Sequence, residues 1–137
     1  MKHYLLFAVL CLFTGISTAF SQKVNTQDYV EIVYFHGKQR CITCRAIEKY
    51  AKEVVEQDFA KELKQDKVRF KVIDISTPEG ETIADKYEVS WSAIFINKIS
   101  NGKETKNNMT DFGFSYAKNS PQTFKKGIKE KIEELLK

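Results

Sequence analysis

The distribution of apolar residues along the chain predicts a buried strand followed by a long helix. Residues 29–35 are almost continuously apolar or aromatic and rich in β-branched side chains, which is typical of a strand buried on both faces. From Cys44 onward the period changes, because apolar residues recur about every four positions among charged ones, as on one face of an amphipathic helix. The apolar positions of this predicted helix are Ile47, Ala51, Val55, Phe59 and Leu63.

The middle of the chain predicts a second strand, a short helix and a third strand. Residues 68–75 alternate, with one slip, between apolar and polar side chains, which indicates a strand. Thr77 followed by Pro78 supplies a helix cap and a first-turn proline, so a helix is predicted to about Tyr87. Residues 93–96 are apolar and form the third predicted strand.

The end of the chain predicts a hairpin and a last helix. An Asn-Gly pair at residues 101–102 is a hairpin signal, and residues 103–110, rich in Lys, Thr and Asn, would return as an exposed edge strand. An aromatic loop is predicted at residues 111–116, where it would form a packed cap. A Ser-Pro pair at residues 120–121 would begin the helix. Its apolar face comprises Phe124, Ile128, Ile132 and Leu136.

These elements give an α/β chain in the order strand, helix, strand, helix, strand, strand, helix. A helix between the first two strands predicts a right-handed crossover and parallel pairing, whereas the hairpin makes the last two strands antiparallel. The expected core is therefore a four-stranded mixed sheet. No internal repeat, low-complexity tract or linker divides the pattern.

The N-terminal residues 1–21 predict a secretory signal peptide rather than a part of the fold. A basic start is followed by the apolar run 4–13 and then by small and polar residues up to Ser21. Cleavage after Ser21 fits the preference for small residues, and cleavage after Ala19 is the alternative. The run is too short for a transmembrane helix and no second run follows, so we expect no stable membrane insertion after cleavage. One exported domain, residues 22–137, would remain, and the bacterial periplasm is the expected location.

The charge of the chain does not favour nucleic-acid binding. The formal net charge is +4 for the whole chain, and loss of Lys2 with the signal peptide would bring it from +4 to +3. Lysines alternate with glutamates along the predicted helices, as on solvated helix faces. No basic stripe with interleaved aromatic residues occurs, so nucleic acid is excluded from the expected partners.

Three cysteines occur in the chain, and two of them remain in the predicted mature domain. A lipid anchor at Cys11 is disfavoured, because Leu10 precedes it where lipoprotein processing prefers a small residue. Cys41 and Cys44 form a Cys-x-x-Cys pair between the first strand and the long helix. A bond between residues three apart closes a small loop and removes less unfolded-state entropy than a long-range disulfide. A redox-active pair is therefore better motivated than a purely structural one.

Residues 34–44, Tyr-Phe-His-Gly-Lys-Gln-Arg-Cys-Ile-Thr-Cys, together with the order of elements, resemble the thioredoxin-like superfamily. Within it, this stretch is similar to small exported bacterial proteins named after an arsenic-resistance subunit. The resemblance implies a three-layer α/β/α sandwich and a thiol-disulfide oxidoreductase. Cys41 would attack a disulfide of a client protein or small molecule, Cys44 would resolve the mixed disulfide, and a second partner would recycle the pair. No cofactor is expected, and the protein is expected to be a monomer.

The chain departs from this family at two places. Thioredoxins usually have a cis-proline opposite the cysteines, which shapes the substrate groove and shields the thiols from metal ions, and here Ser92 and Ala93 occupy the corresponding place. Ser92 and Ala93 are accordingly the candidate substrate-binding residues. Val33 and Tyr34 stand where the family has a buried acid that manages protons. The missing proline leaves open an alternative function, the binding of a soft metal ion or metalloid by the two thiolates.

Several neighbours of the cysteines are candidates for supporting roles. Lys38, Arg40 and Arg45 would lower the thiol pKa, unless they are exposed and screened. Thr43 could hydrogen-bond the thiolate, cap the helix or merely fill space. Glu48, one turn beyond the pair, could accept a proton or simply face solvent.

Two further residues leave alternatives open. His36 could join the two thiolates around Cu(I) or Zn(II), but a lone histidine at a strand end is more often a surface residue, and no metal ligand is assigned. Trp91 could line a client groove or pack in the core. A non-catalytic partner subunit, whose disulfide only holds the loop, is the third functional alternative.

Overall fold

The structure, a computed structural model, describes residues 27–137, so the predicted signal peptide and its cleavage site lie outside the described residues. Within that range, no helix combines the length and the apolar character needed to cross a membrane. The elements in chain order are β1 (Tyr29–His36), α1 (Ile42–Asp58), α2 (Ala60–Lys64), β2 (Val68–Asp74), α3 (Pro78–Lys86), β3 (Ala93–Ser100), β4 (Lys103–Thr105), α4 (Thr110–Tyr116) and α5 (Pro121–Leu135).

The sheet has four strands in the order β2-β1-β3-β4. β1 pairs in parallel with β2 and antiparallel with β3, and β3 pairs antiparallel with β4, so the predicted mixed sheet is confirmed. All residues of β1 except its two ends are buried, as expected of a central strand with a layer on each side.

Side chains of β1 alternate between two cores, one on each face of the sheet. Ile32 and Tyr34 belong to the larger core, which contains the apolar faces of α1 and α5. Val33 and Phe35 belong to the smaller core, which contains Ala84 of α3. The sheet is therefore the middle of three layers, as the sequence predicts.

Two local signals in the sequence are confirmed as capping and turn geometry. Thr77 caps α3, because its Oγ1 accepts the N–H of Gly80 at 3.0 Å, and Pro78 occupies the first turn. Asn101 and Gly102 have φ values of 51° and 75°, the left-handed conformation that an Asn-Gly hairpin turn requires.

Four details differ from the sequence prediction. The first helix is interrupted, because α1 ends at Asp58, buried Phe59 has φ −124° and ψ 28°, and the short α2 follows. The returning edge strand ends at Thr105 instead of Thr110. The predicted aromatic loop is the helix α4. Ser120 stands at the N-cap position of α5 but makes no side-chain capping bond.

Beyond β4 the chain still pairs with β3, but irregularly: the N–H of Ile96 donates to the carbonyl O of Asn107, and the N–H of Met109 donates to the carbonyl O of Ile94, each at 2.9 Å. Asn107 Nδ2 donates to the carbonyl O of Ile96 at 2.9 Å, and the N–H of Ile94 donates to Thr110 Oγ1 at 3.1 Å. These side-chain bonds add to the irregular backbone pairing with β3. The chain is therefore able to turn from the sheet into α4.

Candidate active site

Cys41 and Cys44 lie at the start of α1 and are joined by a disulfide with a Cα–Cα distance of 5.0 Å. Cys41 is the N-cap of α1, and its Sγ accepts the N–H of Cys44 at 3.0 Å. Cys41 rather than Thr43 therefore caps the helix. The first turn of α1 carries no acidic side chain. A thiolate at Cys41 would be stabilised there by a backbone N–H at the positive end of the helix dipole.

The two cysteines differ in exposure. Cys41 is exposed, and Ile42 beside it is 73% exposed, whereas Cys44 is only 6% exposed. A partner molecule can therefore reach Cys41 directly, while Cys44 is almost covered. The predicted roles of attacking and resolving cysteine require this asymmetry.

Tyr34 lies in the core next to the disulfide. Its side chain is fully buried, and its hydroxyl donates to the carbonyl O of Cys44 at 2.7 Å. The Arg40 guanidinium carbon is 5.7 Å from the centre of the Tyr34 ring, within the range of a cation–π contact. The central strand is thus tied to the first turn of α1 by the Tyr34 hydroxyl.

The cations predicted around the cysteines fall into two groups. Arg40 forms an ion pair with Glu48, so this carboxylate is engaged rather than a free proton acceptor. Lys38 and Arg45 are exposed, and neither pairs with a carboxylate of residues 27–137. Their charges are therefore directed to solvent near the site, where salt screens them.

A groove of about 390 Å³ opens beside the disulfide and is lined by both cysteines. Trp91, which is 72% exposed, and Phe114 of α4 also line it, and their rings stack with centroids 6.3 Å apart. Core packing of Trp91, the alternative left open by the sequence, is thus wrong. Phe114 is a site residue that the sequence interpretation missed, because its segment was predicted to be a loop that caps the core.

Comparisons with known proteins agree with this geometry at the level of the fold. No family profile and no curated protein matches the sequence. The X-ray structure of Fasciola hepatica thioredoxin is similar to this one, with 21% identity, coverage of 78% of this chain and 81% of that chain, and a TM-score of 0.50. The chain has the thioredoxin fold. A solution structure of a thioredoxin from Thermus thermophilus aligns with 16% identity over 74% of this chain and 72% of that chain, with a TM-score of 0.47.

Ser92 and Ala93 occupy different surroundings in this thioredoxin fold. Ser92 is 7% exposed and lines the groove beside the disulfide. Ala93 does not line the groove, because it pairs with Phe35 in the sheet and belongs to the smaller core. The peptide bond between Ser92 and Ala93 is trans, and residues 27–137 contain no cis peptide bond. Of these two candidate substrate-binding residues, only Ser92 is therefore placed to touch a molecule in the groove.

The side chains of the described residues show what a metal site at the disulfide could use. Residues 27–137 contain no group of three or more His, Cys, Asp and Glu residues placed to hold a metal ion. His36 Nδ1 lies 3.1 Å from the carbonyl O of Gly37, and its ring centroid is 6.2 Å from that of Tyr34. Within the described residues, a soft-metal site would rest on the two thiolates alone.

Proposed function

We propose that the protein is an exported thiol-disulfide oxidoreductase in which Cys41 attacks and Cys44 resolves. The observation that carries the proposal is the asymmetry of the pair, with an exposed Cys41 at the helix N-cap and a Cys44 that is 6% exposed. Attack on a disulfide needs an accessible thiolate, and resolution needs a second thiol held against the first. Export rests on the predicted signal peptide, and the periplasm is the proposed compartment.

In the reducing direction, the Cys41 thiolate attacks one sulfur of a client disulfide, and the other client sulfur leaves as a thiolate. The Cys44 thiol then loses its proton and attacks the Cys41 sulfur of the mixed disulfide. The second client sulfur leaves as a thiolate, and the Cys41–Cys44 disulfide forms. The client gains two electrons and the pair loses two. A dithiol reductant in the same compartment would recycle the pair, and in the oxidising direction the same steps run backwards.

Two contacts support this sequence of steps. The N–H of Cys44 points at the Cys41 sulfur and would favour the thiolate over the thiol. The Tyr34 hydroxyl holds the Cys44 carbonyl against the central strand, which fixes the position of the resolving residue while the mixed disulfide exists. Ser92 and the stacked rings of Trp91 and Phe114 would contact the client in the groove.

Trapping of the mixed disulfide tests the roles of the two cysteines. Reduced Cys44→Ser protein should form a stable mixed disulfide with oxidised glutathione and with insulin, measured by intact mass spectrometry after an acid quench. Reduced Cys41→Ser protein is the matched control and should be trapped far less, because its remaining thiol is buried. Equal trapping of the two variants, or no insulin reduction by the unmodified protein above background, would overturn the proposal.

The alternatives predict different results with the same variants. A soft-metal or metalloid binder would bind Cu(I), Zn(II) or arsenite when reduced, would lose that affinity in both cysteine variants and would not turn over disulfides. A non-catalytic partner subunit would keep its stability and partner binding after reduction, again without turnover. The oxidoreductase is preferred because the pair opens into an aromatic-walled groove and the disulfide closes only a small loop.

A narrower proposal concerns the type of oxidoreductase. Residues 34–44 support placing the protein among small exported bacterial proteins named after an arsenic-resistance subunit. Its partners would be a client disulfide or dithiol and a redox-recycling protein, and it would act as a monomer. The redox potential of the Cys41–Cys44 pair, measured at equilibrium with glutathione, distinguishes an oxidant from a reductant. A value near or above about −200 mV favours an oxidant or isomerase, and a much lower value favours a reductant.

A further inference from the structure

The groove beside the disulfide adjoins a second hollow, of about 230 Å³, which lies along α3. Ile75 and Ser90 line both, so a molecule that extends beyond the groove can pass directly into this second hollow, here called the α3 hollow. The groove alone has the volume of a site for a small molecule. Together with the α3 hollow it has room for a longer occupant, such as a peptide segment.

The two ends of this surface differ in chemical character. Every residue that lines the groove is uncharged, and the stacked rings of Trp91 and Phe114 give it an apolar wall. The α3 hollow is lined by the exposed side chains of Glu81 and Asp85. No basic side chain lines either of them. An occupant that covers both should therefore be apolar at one end and basic at the other.

The two carboxylates of the α3 hollow are not compensated within the described chain. Neither Glu81 nor Asp85 forms an ion pair with any of residues 27–137. They lie four positions apart on α3, where like charges repel each other. Asp85 is also in the last turn of α3, at the negative end of the helix dipole, where a carboxylate is unfavourable. Because neither position favours the helix, a cation from another molecule would relieve both effects.

Ser92 supplies a polar group for the backbone of an occupant. It is 7% exposed and lines the groove. Its side chain forms no hydrogen bond with any residue from 27 to 137. A hydroxyl that is so nearly buried normally has a hydrogen-bond partner, and it can both donate and accept. Peptide N–H and C=O groups in the groove would supply that partner.

Glutathione disulfide fits this surface less well than a peptide does. Each half of that molecule carries more carboxylates than ammonium groups, so the carboxylates of the α3 hollow would repel it. It has no large apolar side chain to cover the aromatic wall of the groove. The surface therefore favours a polypeptide over this small anionic disulfide.

We propose that the preferred clients are polypeptides whose disulfide cysteine has a large apolar residue on one side and Arg or Lys on the other. The apolar side chain would pack against Trp91 and Phe114. The basic side chain would pair with Glu81 and Asp85, and the backbone near the cysteine would bond to Ser92. This inference rests on the proposed function, because it assigns a client to the same pair of cysteines.

Disulfide exchange with matched peptides tests this preference. Each substrate is a symmetric disulfide dimer of a single-cysteine peptide, with Phe two residues from the cysteine on one side and Arg, Gln or Glu two residues away on the other, prepared in both orders. In reduced Cys44→Ser protein, the Cys41 thiolate attacks one peptide sulfur, the second peptide leaves as a thiolate, and intact mass spectrometry follows the mixed disulfide. In one of the two orders, the Arg peptide should react at least about threefold faster than the Gln peptide, and the Glu peptide should react slowest.

Matched controls isolate the contribution of the α3 hollow. The same dimers are treated with 2-mercaptoethanol, because Arg speeds attack by any thiolate through its charge alone. In the Cys44→Ser background, Glu81→Gln combined with Asp85→Asn should lower the Arg-to-Gln rate ratio to the value measured with 2-mercaptoethanol. Glu133→Gln removes a carboxylate of α5, on the opposite face of the sheet, and should leave the ratio unchanged.

The results separate this preference from the oxidoreductase activity itself. A ratio no higher than with 2-mercaptoethanol in both orders, a fastest reaction with the Glu peptide, or a preference that persists in the Glu81→Gln, Asp85→Asn protein would overturn the inference. The oxidoreductase would survive these outcomes, provided that the unmodified protein reduces insulin. Absence of exchange with every peptide and with insulin would instead refute the proposed function, and this inference with it.

Discussion

Gly127→Ala should destabilise the protein, although replacement of glycine by alanine inside a helix normally stabilises by about 1 kcal/mol. Gly127 lies in α5, and the ring of Phe112 from α4 lies against it. A Cβ added to Gly127 would be 2.3 Å from Phe112 Cζ and 2.6 Å from Cε1. Because carbon atoms in contact are best separated by about 3.5–4.0 Å, the ring would have to move by roughly 1 Å or more.

The Phe112 ring is partly buried, and two aromatic neighbours restrict that movement. Its centroid lies 6.0 Å from that of Phe124 and 5.0 Å from that of Tyr116. Overpacking of a filled core costs about 1–3 kcal/mol, and subtracting the helical gain of about 1 kcal/mol leaves a net loss of about 0–2 kcal/mol. We expect a decrease of about 1 kcal/mol in the free energy of unfolding.

Urea unfolding of the oxidised protein, followed by far-ultraviolet circular dichroism, measures this change. Phe112→Leu removes the ring, so Gly127→Ala in that background should stabilise by about 1 kcal/mol, and the sign of the effect should reverse. Lys126→Ala, on the exposed side of the same helix, is the control and should change stability by less than about 0.5 kcal/mol. A stabilising Gly127→Ala in the unmodified background, or the same effect in both backgrounds, would refute the reasoning.

Three further predictions concern the fold, its pH dependence and the groove. Gly80→Ala should cost more than Gly127→Ala in the same urea assay, because its Cβ would lie 1.9 Å from the backbone O of Asp74, which cannot turn aside; a smaller loss would contradict this. Burial raises the pKa of the Tyr87 hydroxyl. Stability should therefore be intact below about pH 10, the usual tyrosine pKa, and fall above it as the unfolded chain ionises first. The free energy of unfolding of the Tyr87→Phe variant should fall less steeply with pH above about pH 10, and equal slopes for the variant and the unmodified protein would contradict this prediction. Phe114→Ala should slow insulin reduction more than glutathione-disulfide reduction, and a uniform loss would show that the aromatic wall does not contact clients.

The parts of the fold that the sequence predicts well depend on contacts between near neighbours. The apolar run of β1, the Thr77 cap and the Asn-Gly turn at residues 101–102 each carry their own local cause, and each is found where it is predicted. The position of the Cys41–Cys44 pair at the start of a helix is also predicted from neighbouring residues, because the hydrophobic period changes at that point of the sequence.

The missed features depend on residues far apart in the chain. α4 follows a stretch, residues 107–110, that bonds to β3 irregularly through backbone and side chains, and only the four-residue spacing of Phe112 and Tyr116 hints at a helix in the sequence. The stack of Phe114 on a tryptophan 23 positions earlier needs α4 to be in place first. Neither feature can be predicted from the hydrophobic pattern of a single segment.

The contacts between side chains around the cysteines are likewise not predicted from the sequence. The sequence places Arg40 and Glu48 near the pair, but it does not show that they neutralise each other. The sequence also does not predict the hydrogen bond from the Tyr34 hydroxyl to the carbonyl O of Cys44, because that bond joins β1 to α1 across the core. Pairing between charged side chains depends on rotamers that only the packed structure determines.

The position of Trp91 has a practical consequence for spectroscopy. It is the only tryptophan of the chain, and it is 72% exposed beside the disulfide. Since its indole is largely in water in the folded protein and wholly so in the unfolded one, its emission maximum should shift little on unfolding. A bound client would instead remove it from water, so a blue shift at constant circular dichroism would be a label-free signal of occupancy of the groove.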